Sequence, residues 1–321
     1  MRALVTGASG FIGTHVVRAL VAAGADVRAF DRCALDGLPA GAEPVSGDVL
    51  DPGALDRALE GCDAVFHLAA VYSYARRDAE LMRAVNVEGT RLLLDRAARG
   101  PRRRVVHTSS CATCGPVAGR AATEADAPPA WERRVPYKAT KLASERLALA
   151  AARTGLDVVV VNPTTPVGAG DRRPTPTGKM VADVVAGRAR AYLRGGVLNV
   201  VAVEDVAVGH LRAFERGRPG RRYLLGGENL AMREVFRHLA AASGRPEPRI
   251  AVPWSAAFGA AMAAHVAARA RGCEPRLLVL DEVRLARLPM AFDDACARRE
   301  LGYRSRPAAA ALAVAARSAV A

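Results

Sequence analysis

The chain has 321 residues, of which 51% are hydrophobic, and it carries 46 lysines and arginines against 32 aspartates and glutamates, a formal net charge of +14. This length and composition predict a globular protein with one large core, or with one large and one small core. The basic residues are spread along the chain, with Arg102-Arg103-Arg104 as the single run, so we expect a solvated cationic surface and no nucleic-acid site. Such a surface can still attract an anionic substrate or cofactor.

The chain start and the apolar segment Trp254–Ala270 bear on cellular location. A strand-like run begins at Ala3, which leaves no room ahead of it for a secretory leader, and we therefore expect a cytoplasmic protein. His265 and Arg269 interrupt the apolar segment, which is too short and too polar to span a bilayer. We interpret it as a packed helix, with a membrane-surface helix as the less favoured alternative.

Short β-branched runs alternate with longer amphipathic runs from the start of the chain. This is the order expected of parallel strands joined by crossover helices. The pattern predicts strands at 3–6, 26–30, 44–46, 64–67, 104–108 and 157–161, and helices at 11–23, 52–59, 79–99 and 136–153. The predicted fold class is α/β, a Rossmann-type doubly wound parallel sheet.

The second half of the chain is less regular. Residues 162–178 are rich in proline and glycine and are predicted to form a long loop of the kind that is usually functional or disordered. Beyond the loop we predict a helix at 179–186, a strand at 199–203, a helix from Glu204, a strand at 221–225, and helices from Ala231 and Ser255. We therefore divide the chain into an NAD(P)-binding Rossmann domain, 1–161, and a smaller, mainly substrate-binding lobe, 162–321, that returns some elements to the sheet.

Three glycines follow the first predicted strand directly and open a helix. Gly7, Gly10 and Gly13 form a G-x-x-G-x-x-G turn, in which glycine lets the backbone turn tightly and approach a pyrophosphate. The amides and dipole at the helix N-terminus favour the charge of that group, and Phe11 and Ile12 anchor the helix against the sheet. Strand, glycine turn and helix in register predict a dinucleotide site, in preference to a turn selected only for packing.

Residues at the other strand ends are candidate cofactor contacts. Asp31 ends the second strand, where a carboxylate can accept hydrogen bonds from the adenosine ribose and would repel a 2′-phosphate. This favours NAD, whereas the neighbouring Arg32 keeps NADP possible, and an ordinary strand-end role is the alternative for Asp31. Further contacts are expected from Asp48 and Val49 at the adenine edge and from the small residues after the fourth strand, Leu68, Ala69 and Ala70.

Tyr137 and Lys141 are four residues apart at the start of a predicted helix, so both project from one face. A lysine ammonium near a phenol favours the phenolate and lowers the tyrosine pKa, which suits proton exchange with an alcohol or ketone. This spacing alone is common by chance. It becomes specific because Thr108-Ser109-Ser110 ends the preceding strand, where a serine hydroxyl can hydrogen-bond the same carbonyl oxygen. The combination indicates hydride transfer.

Six motifs carry a resemblance to a known family: TGASGFIG (6–13), FHLAA (66–70), NVEGT (86–90), TSS (108–110), YKATK (137–141) and NPTTPVG (162–168). In order and spacing they resemble the extended short-chain dehydrogenase/reductase, or NAD-dependent epimerase/dehydratase, superfamily. The chain is most similar to the dihydroflavonol-4-reductase-like branch, especially to proteins called hopanoid-associated sugar epimerases. The segments that carry this closer similarity are 162–179, 209–217, 222–230 and 298–307.

The resemblance implies roles for individual residues. Tyr137 would be the general acid/base, and Lys141 would hold the nicotinamide ribose while tuning Tyr137. Ser110 would orient the substrate oxygen, with Ser109 as the alternative, and Asn86 would serve either a proton-relay water or a purely structural bond. The remaining cofactor contacts implied are Thr108, Pro163 and Thr165, the last two near the nicotinamide carboxamide.

One segment departs from the pattern of nucleotide-sugar epimerases. Those enzymes commonly carry an arginine that binds the nucleotide phosphates, followed by an aspartate and, further on, a histidine. Residues 196–205 here have no arginine, and Ala202 stands at the place of the histidine. Arg190 or Arg194 could substitute for the missing cation. The departure weakens the prediction of a nucleotide-sugar substrate.

Six cysteines raise the question of a redox or metal site: Cys33, Cys62, Cys111, Cys114, Cys273 and Cys296. Their spacing does not match a paired four-ligand zinc site, and nothing indicates an oxidising compartment. Cys111 and Cys114 form a C-x-x-C pair directly after Ser110, but neither partner histidines nor a helix start accompany the pair. We therefore predict no metal and expect both thiols to line the substrate side of the pocket, where alkylation would block the site.

Three functional hypotheses remain. The leading one is an NAD(P)-dependent oxidoreductase that moves hydride between nicotinamide and a carbinol or ketone carbon of a small-molecule substrate. The alternative is an NAD-dependent sugar epimerase or dehydratase that reduces and reoxidises bound NAD within one turnover. The third is a non-catalytic dinucleotide-sensing protein on the same fold. The family resemblance also makes a homodimer possible.

Overall fold

The computed structural model describes residues 1–100, 102–172, 175–272 and 279–320. Its strands, in chain order, are β1 (Arg2–Thr6), β2 (Asp26–Asp31), β3 (Ala42–Ser46), β4 (Ala64–His67), β5 (Arg104–Thr108), β6 (Asp157–Pro163), β7 (Thr165–Val167), β8 (Ala191–Leu193), β9 (Val197–Ala202), β10 (Arg222–Leu225), β11 (Glu228–Ala231) and β12 (Ile250–Val252). Its α-helices are α1 (Phe11–Ala22), α2 (Pro52–Leu59), α3 (Ala79–Arg83), α4 (Thr90–Ala97), α5 (Pro136–Arg153), α6 (Pro176–Val185), α7 (Val203–Arg216), α8 (Met232–Ser243), α9 (Trp254–Ala270), α10 (Leu280–Leu285), α11 (Ala295–Leu301) and α12 (Ala308–Val320).

Seven parallel strands form the large sheet, in the order β10-β6-β5-β4-β1-β2-β3. A parallel sheet covered by helices is buried on both faces, which explains the near-continuous apolar runs in its strands. Residues 158–161 of β6, four valines, are fully buried. The strand order reverses between β1 and β4, and ligands of doubly wound sheets bind at this switch point. The predicted Rossmann-type sheet is confirmed.

The later half of the chain builds two smaller sheets and a second core. β9 pairs with β7 in parallel and with β11 in antiparallel orientation, and β12 pairs in parallel with β8. α6, α8 and α12 pack with β9 around this core. One strand of this half, β10, pairs in parallel with β6 and forms the edge of the large sheet. β10 therefore belongs in space to the sheet of the predicted Rossmann domain, 1–161, although it follows residue 161 in the chain.

Several elements differ from their predicted bounds. The predicted helix 79–99 is α3 and α4 on either side of a π-helical segment, Ala84–Gly89. Such a segment has no apolar pattern of its own, and it is frequent at functional sites. The predicted loop 162–178 contains β7 and the start of α6, and its residues 173 and 174 lie outside the described residues. Val203, predicted to end a strand, begins α7.

Helix α9 is less packed than predicted. Of its 17 residues, Ala261 and Ala268 are the buried ones, and it packs mainly against α10. The alanine-rich sequence offers no wide apolar stripe to a core, so the helix stays near the surface. No helix among the described residues combines the length and the apolar character needed to cross a membrane.

Candidate active site

A cavity of about 500 Å³ opens where the carboxyl ends of β1, β4, β5 and β6 meet. Most of the predicted site residues line it: Gly7, Gly10, Phe11, Ile12, Gly13, Leu68, Ala70, Thr108, Ser110, Cys111, Tyr137, Lys141, Pro163 and Thr165. The other predicted site residues are not part of its lining: Asp31, Arg32, Asp48, Val49, Ala69 and Cys114.

The three glycines of the turn after β1 differ in whether the surrounding structure has room for a side chain. Gly7 has φ +72°, and a Cβ there would lie 2.6 Å from the nitrogen of Ala69. A Cβ on Gly13 would lie 2.0 Å from the carbonyl oxygen of Gly7. Both positions therefore require glycine for the fold itself. A Cβ on Gly10 would lie 3.1 Å from the Gly7 oxygen, a tight contact that a small shift can relieve, so this position is less restricted than the other two.

The N-terminus of α1 faces the cavity. Gly10 is its N-cap residue and supplies no side-chain hydrogen bond, and the first-turn residues Phe11, Ile12 and Gly13 line the cavity. First-turn amides have no partner within their own helix, and together with the helix dipole they attract an anion. An uncapped helix start beside an open glycine is the arrangement that fits a dinucleotide pyrophosphate.

Asp31 at the end of β2 ties the glycine turn to its strand. Its Oδ2 accepts hydrogen bonds from the backbone nitrogen of Ser9 at 3.0 Å and from Ser9 Oγ at 2.8 Å, and its Oδ1 accepts one from the nitrogen of Cys33 at 3.0 Å. Arg32 is exposed beside it, and its Nη1 lies 3.9 Å from Asp48 Oδ2. The carboxylate is half-buried and has a structural role whatever else it binds.

Of the remaining predicted cofactor contacts at the strand ends, some line the cavity and others hold the backbone in place behind it. Leu68 and Ala70 line the cavity, whereas the nitrogen of Ala69 is turned toward β1 and donates to Thr6 Oγ1 at 3.3 Å. Val49 is 6% exposed, and its Cγ2 would lie 2.8 Å from a Cβ on Gly89. Val49 thus packs against the π-helical segment, and its predicted contact with adenine has no counterpart in the cavity lining.

Ser110, Tyr137 and Lys141 meet at the centre of the cavity wall. Tyr137 follows Pro136, which opens α5 as proline commonly does at a first helical position. The hydroxyl of Ser110 accepts from the nitrogen of Ala112 at 3.2 Å, and it is near enough to the Tyr137 phenol to act on the pKa of that tyrosine. Lys141 Nζ donates to the carbonyl oxygen of Thr108 at 2.8 Å.

The pKa values at this point differ from the expectation for tyrosine. Burial raises the pKa of Tyr137 above that of an ordinary phenol, and the nearby Ser110 hydroxyl opposes this rise. The lowering of the Tyr137 pKa by Lys141, expected from their spacing, is not found, because the ammonium is directed to the Thr108 carbonyl. Burial also lowers the pKa of Lys141 to about 8, against the attraction of Glu145.

Two tyrosines that the sequence analysis did not consider stand beside Tyr137. The ring centroid of Tyr72 lies 4.3 Å from that of Tyr137, and the ring of Tyr74 lies at 6.1 Å, edge-on. The hydroxyl of Tyr72 donates to that of Tyr74 at 3.3 Å, and both side chains line the cavity. They belong to the irregular segment 71–75 after β4. The available signal was the alternation of two tyrosines directly beyond a strand end that faces the site.

Asn86 lies within the π-helical segment and is 1% exposed. Its Oδ1 accepts from the nitrogen of Val71 at 2.7 Å, and its Nδ2 donates to the Val71 oxygen at 3.0 Å and to Thr140 Oγ1 at 3.1 Å. Thr140 Oγ1 in turn lies 2.9 Å from the carbonyl oxygen of Tyr137. Asn86 thus holds the tyrosine-bearing segment to α5, and a proton relay through it stays a prediction.

Lys138 is a further wall residue that the sequence analysis did not consider. It is 4% exposed, and its Nζ donates to the Gly115 oxygen at 3.1 Å and to the fully buried carboxylate of Glu132. The ion pair connects α5 with both ends of the irregular segment 111–135. A buried pair of this kind is costly to break, because either partner alone would be an unpaired buried charge.

The two thiols of the C-x-x-C pair occupy different places. Cys111 lines the cavity and is 2% exposed, whereas Cys114 is fully buried in an apolar cluster with Ala122, Leu224 and Phe292. The expectation that both line the substrate side therefore does not hold for Cys114, because the short helical turn between them points it away from the cavity. Burial raises the pKa of Cys111 to about 11 and that of Cys114 to about 12.

No group of three or more histidine, cysteine, aspartate or glutamate side chains could hold a metal ion within the described parts of the chain, which leave out Cys273.

The wall opposite the glycine turn is apolar. It is formed by side chains of α6, α8, α10 and the small sheets, with Glu282 as the one carboxylate among the described lining residues. Burial raises the pKa of Glu282, and Lys179 opposes this. Neither Arg190 nor Arg194 belongs to the lining, so the substitute cations considered from the sequence are absent from it. The apolar residues of this wall are Met180, Leu193, Val197, Leu198, Met232, Leu285, Leu288 and Met290.

Comparison with known proteins agrees with this arrangement. Residues 3–226 match the model of the NAD dependent epimerase/dehydratase family. The chain belongs to this family. A Synechocystis sp. protein named for dihydroflavonol 4-reductase is 37% identical over 308 residues, which cover 93% of this chain and 88% of the relative. The sterol demethylase protein B of Methylococcus capsulatus is 40% identical over 258 residues, 79% of this chain and 78% of that protein.

A solved structure gives the same result at the level of the fold. A double mutant of the dTDP-glucose 4,6-dehydratase DesIV from Streptomyces venezuelae, with NAD and a second ligand bound, has a TM-score of 0.78 and 28% identity, and the match covers 99% of this chain and 96% of that one. The predicted superfamily and the general class, an NAD(P)-dependent oxidoreductase or epimerase, are confirmed. NAD, the predicted cofactor, is named in the description of the family itself.

Proposed function

We propose that this protein transfers hydride between NAD and a carbinol or ketone carbon of an apolar small molecule, with Tyr137 as general acid/base. The observation that carries the proposal is that a single cavity is bordered by the open glycine turn, by Ser110, Tyr137 and Lys141, and by an apolar wall without arginine among its described residues. Cofactor, proton donor and substrate can therefore share one space.

The proposed reduction adds a hydride to the carbonyl carbon and a proton to its oxygen. The nicotinamide, when bound, supplies the hydride. Tyr137 donates the proton, and its raised pKa favours the neutral phenol that this direction requires. Ser110 holds the substrate oxygen with its hydroxyl, and Lys141 would bind the nicotinamide ribose with its ammonium. In the oxidation direction Tyr137 would have to accept the proton as a phenolate, a form that its raised pKa disfavours.

We propose NAD rather than NADP as the preferred cofactor. Asp31 holds a carboxylate at the end of β2, beside the glycine turn, where it would repel a 2′-phosphate. Arg32 is exposed next to it and is the residue that keeps NADP as a second candidate. The ratio of kcat/KM for NADH to that for NADPH tests this assignment, and an Arg32→Ala variant should increase the ratio.

An epimerase or dehydratase acting on a nucleotide sugar, with internally recycled NAD, is the second candidate. The DesIV structure supports it by its fold and its name. Against it stands the cavity wall: the lysines that line it are Lys138 and Lys141, the first paired with Glu132 and the second directed to Thr108. A nucleotide diphosphate would meet methionine and leucine side chains there, and burying its charge without a partner is costly.

The deciding experiment combines cofactor content with turnover. The purified protein is dialysed, its nicotinamide is quantified, and NADH consumption is followed with linear and polycyclic apolar ketones. We expect exchangeable cofactor and NADH consumed in step with ketone. Stoichiometric NAD that resists dialysis, with no net consumption, would instead support the epimerase.

The variants Tyr137→Phe and Tyr74→Phe assign the proton donor in the same assay. Both remove a phenolic hydroxyl from the same aromatic cluster. Loss of the Tyr137 hydroxyl should lower kcat by about 10²- to 10⁴-fold, the usual contribution of general acid catalysis, and loss of the Tyr74 hydroxyl should leave most of it. Full activity of Tyr137→Phe would refute the assignment of Tyr137 as the proton donor, whereas no turnover with any ketone, by the unmodified protein as well, would favour a dinucleotide-sensing protein. The homodimer, the cytoplasmic location and the lack of a nucleic-acid partner stay predictions.

A further inference from the structure

Glu145 is a buried carboxylate that has no role in the proposed reaction as described so far. It lies one helical turn after Lys141 on α5 and is 3% exposed. Its Oε2 accepts hydrogen bonds from Ser109 Oγ at 2.6 Å, Thr113 Oγ1 at 2.8 Å and Asn162 Nδ2 at 2.7 Å. Three donors from three segments of the chain thus meet at one carboxylate oxygen.

The other oxygen of Glu145 is held by an ion pair. Oε1 accepts from Arg222 Nη1 at 2.8 Å, and Arg222 on β10 also donates to the carbonyl oxygen of Glu124. Taking a carboxylate out of water is costly unless hydrogen bonds and an opposite charge offset the loss of hydration. Here both are present, so each oxygen of the buried Glu145 side chain has its partners.

The donors that surround Glu145 also hold the backbone of Ser110. Asn162 Nδ2 lies 3.1 Å from the Ser110 carbonyl oxygen, and Thr113 Oγ1 lies 2.8 Å from it. The nitrogen of Thr113 donates to the same oxygen at 3.1 Å. Asn162 Nδ2 carries two hydrogens and can donate to Glu145 and to the Ser110 carbonyl at once, whereas the single hydroxyl hydrogen of Thr113 serves one of these acceptors at a time. The carboxylate thus orients Asn162 and fixes the position of Thr113, while Ser110 and Tyr137 both line the cavity.

We infer that Glu145 is a positioning residue, which fixes Ser110 against Tyr137 through Thr113 and Asn162. This inference rests on the proposed function, since it assigns a role in that reaction. Glu145 does not contact the reacting atoms. Its effect on the reaction passes through the backbone of Ser110, so it should disappear when the Ser110 hydroxyl is removed.

The test is a double-mutant cycle between Glu145→Gln and Ser110→Ala, measured as NADH-dependent ketone reduction. Glu145→Gln keeps the shape of the side chain and removes its charge. We expect it to lower kcat by about tenfold with KM within about twofold, because the substrate still binds. In the Ser110→Ala background the same substitution should lower kcat by less than about twofold. Equal factors in both backgrounds would overturn the inference.

Glu145→Gln leaves the half-buried Arg222 without its anionic partner, and a second pair of variants avoids this side effect. Thr113→Val removes the hydroxyl that lies 2.8 Å from both Glu145 Oε2 and the Ser110 carbonyl oxygen, but it leaves the ion pair intact, and Thr113→Ser keeps the hydroxyl. We expect reduced kcat in the first and near-complete rescue in the second. If Glu145→Gln does not fold, the cycle is run with Thr113→Val, and additivity with Ser110→Ala again counts against positioning.

A matched control separates positioning from stability. Arg221, next to Arg222 in the chain, pairs with Glu300 at 2.8 Å near the surface. Arg221→Gln should lower the Tm slightly and leave kcat unchanged. Full activity of Ser110→Ala would overturn the proposed function and the inference with it, whereas an impaired Ser110→Ala together with unimpaired Glu145→Gln and Thr113→Val would overturn the inference alone.

Discussion

The cavity has two walls that are built in different ways. The wall that we propose to face the cofactor, here called the cofactor-facing wall, consists of backbone at the ends of β1, β4 and β5, supported from below by buried polar side chains. The substrate-facing wall consists of the side chains of α6, α8, α10 and the small sheets, backed by an apolar core. Backbone turns tolerate few residue types, whereas an apolar wall tolerates many. The first wall should therefore be rigid and sensitive to charge, and the second adaptable.

The two walls should differ most in how acid affects their stability, because three buried histidines support the cofactor-facing wall and not the substrate-facing wall. His67 on β4 bonds Thr6 Oγ1 at 2.7 Å, and His210 on α7 bonds Thr108 Oγ1 at 2.9 Å. Both ring nitrogens of His107 on β5 are buried without a hydrogen-bond partner among the described residues. Burial lowers the pKa of His67 to about 3 and that of His210 to about 4, and it lowers the pKa of His107 well below its ordinary value.

The folded protein therefore keeps these imidazoles neutral, while the unfolded chain protonates them near pH 6.5. Their contribution to stability is fully present above pH 6.5 and is lost as the pH falls from there toward the folded pKa values. At pH 5 the loss is about 2 kcal/mol for each histidine, or about 6 kcal/mol for the three. Carboxyl groups with raised pKa values, such as Glu124 and Glu132, oppose the loss at lower pH.

The measurement is urea unfolding between pH 7.5 and 5. The variant His210→Asn should reduce the pH dependence by about a third, and His265→Asn on the surface helix α9 serves as the matched control. A free energy of unfolding that stays constant over this range would contradict the burial of neutral histidines beneath the cofactor-facing wall.

The next largest effect distinguishes two glycines of the same turn. Gly13→Ala places a methyl group 2.0 Å from the Gly7 oxygen, so it should destabilise the fold by about 1–3 kcal/mol or more. Gly10→Ala meets that oxygen at 3.1 Å and should leave the Tm nearly unchanged. Because it fills the space beside the helix N-terminus, it should weaken NAD binding by about tenfold, the scale of one charge-assisted hydrogen bond.

Calorimetric titration with NAD and thermal melts of both variants separate these outcomes. A Gly10→Ala protein that binds NAD as tightly as the unmodified chain would show that the pyrophosphate does not lie at this turn.

The features that could be predicted from the sequence are those that local backbone geometry and local apolar patterns determine. Gly7 and Gly13 are dictated by backbone geometry, and β1, β4, β5 and β6 are marked by buried apolar runs, so both features are visible without a structure. Tyr137 and Lys141 are visible because one helix face joins them. Glu145 stands at the next turn of that face, and the same spacing could have identified it.

The rest depends on contacts between distant segments. Tyr72 reaches Tyr137 across an irregular segment, and its place follows from the bonds of Asn86 with Val71, not from a local pattern. The π-helical segment that carries Asn86 has the composition of an ordinary helix. Cys114 was misplaced because the short turn between the two cysteines decides which thiol faces the cavity.

A smaller effect is expected at the substrate-facing wall. Met232 opens α8, lines the cavity and covers Gly196, where a Cβ would lie 2.7 Å from Met232 Cγ. Met232→Ala should raise KM for long apolar ketones by about 3- to 30-fold, the equivalent of one or two buried methylene groups, with kcat nearly constant. Met232→Leu conserves the volume and should change KM by less than about threefold.

Steady-state kinetics with a series of ketones of increasing length measures this effect. A fall in kcat at constant KM would mean that this side chain acts on the chemical step and that the wall is not merely adaptable.

The smallest effect is expected where the walls meet, at Cys111. This thiol borders the cavity, yet it is 2% exposed, its pKa is raised to about 11, and its Sγ donates to the Thr164 oxygen at 3.6 Å. At pH 8 about one thiol in a thousand is then ionised, and the thiolate is the species that alkylating agents attack. Cys111 and the fully buried Cys114 should therefore stay unmodified by iodoacetamide while the half-buried Cys33 reacts, as peptide mass spectrometry would show. Rapid labelling of Cys111 that bound NAD prevents would mean that this junction opens in solution, so that cavity access, and not thiol ionisation, limits its chemistry.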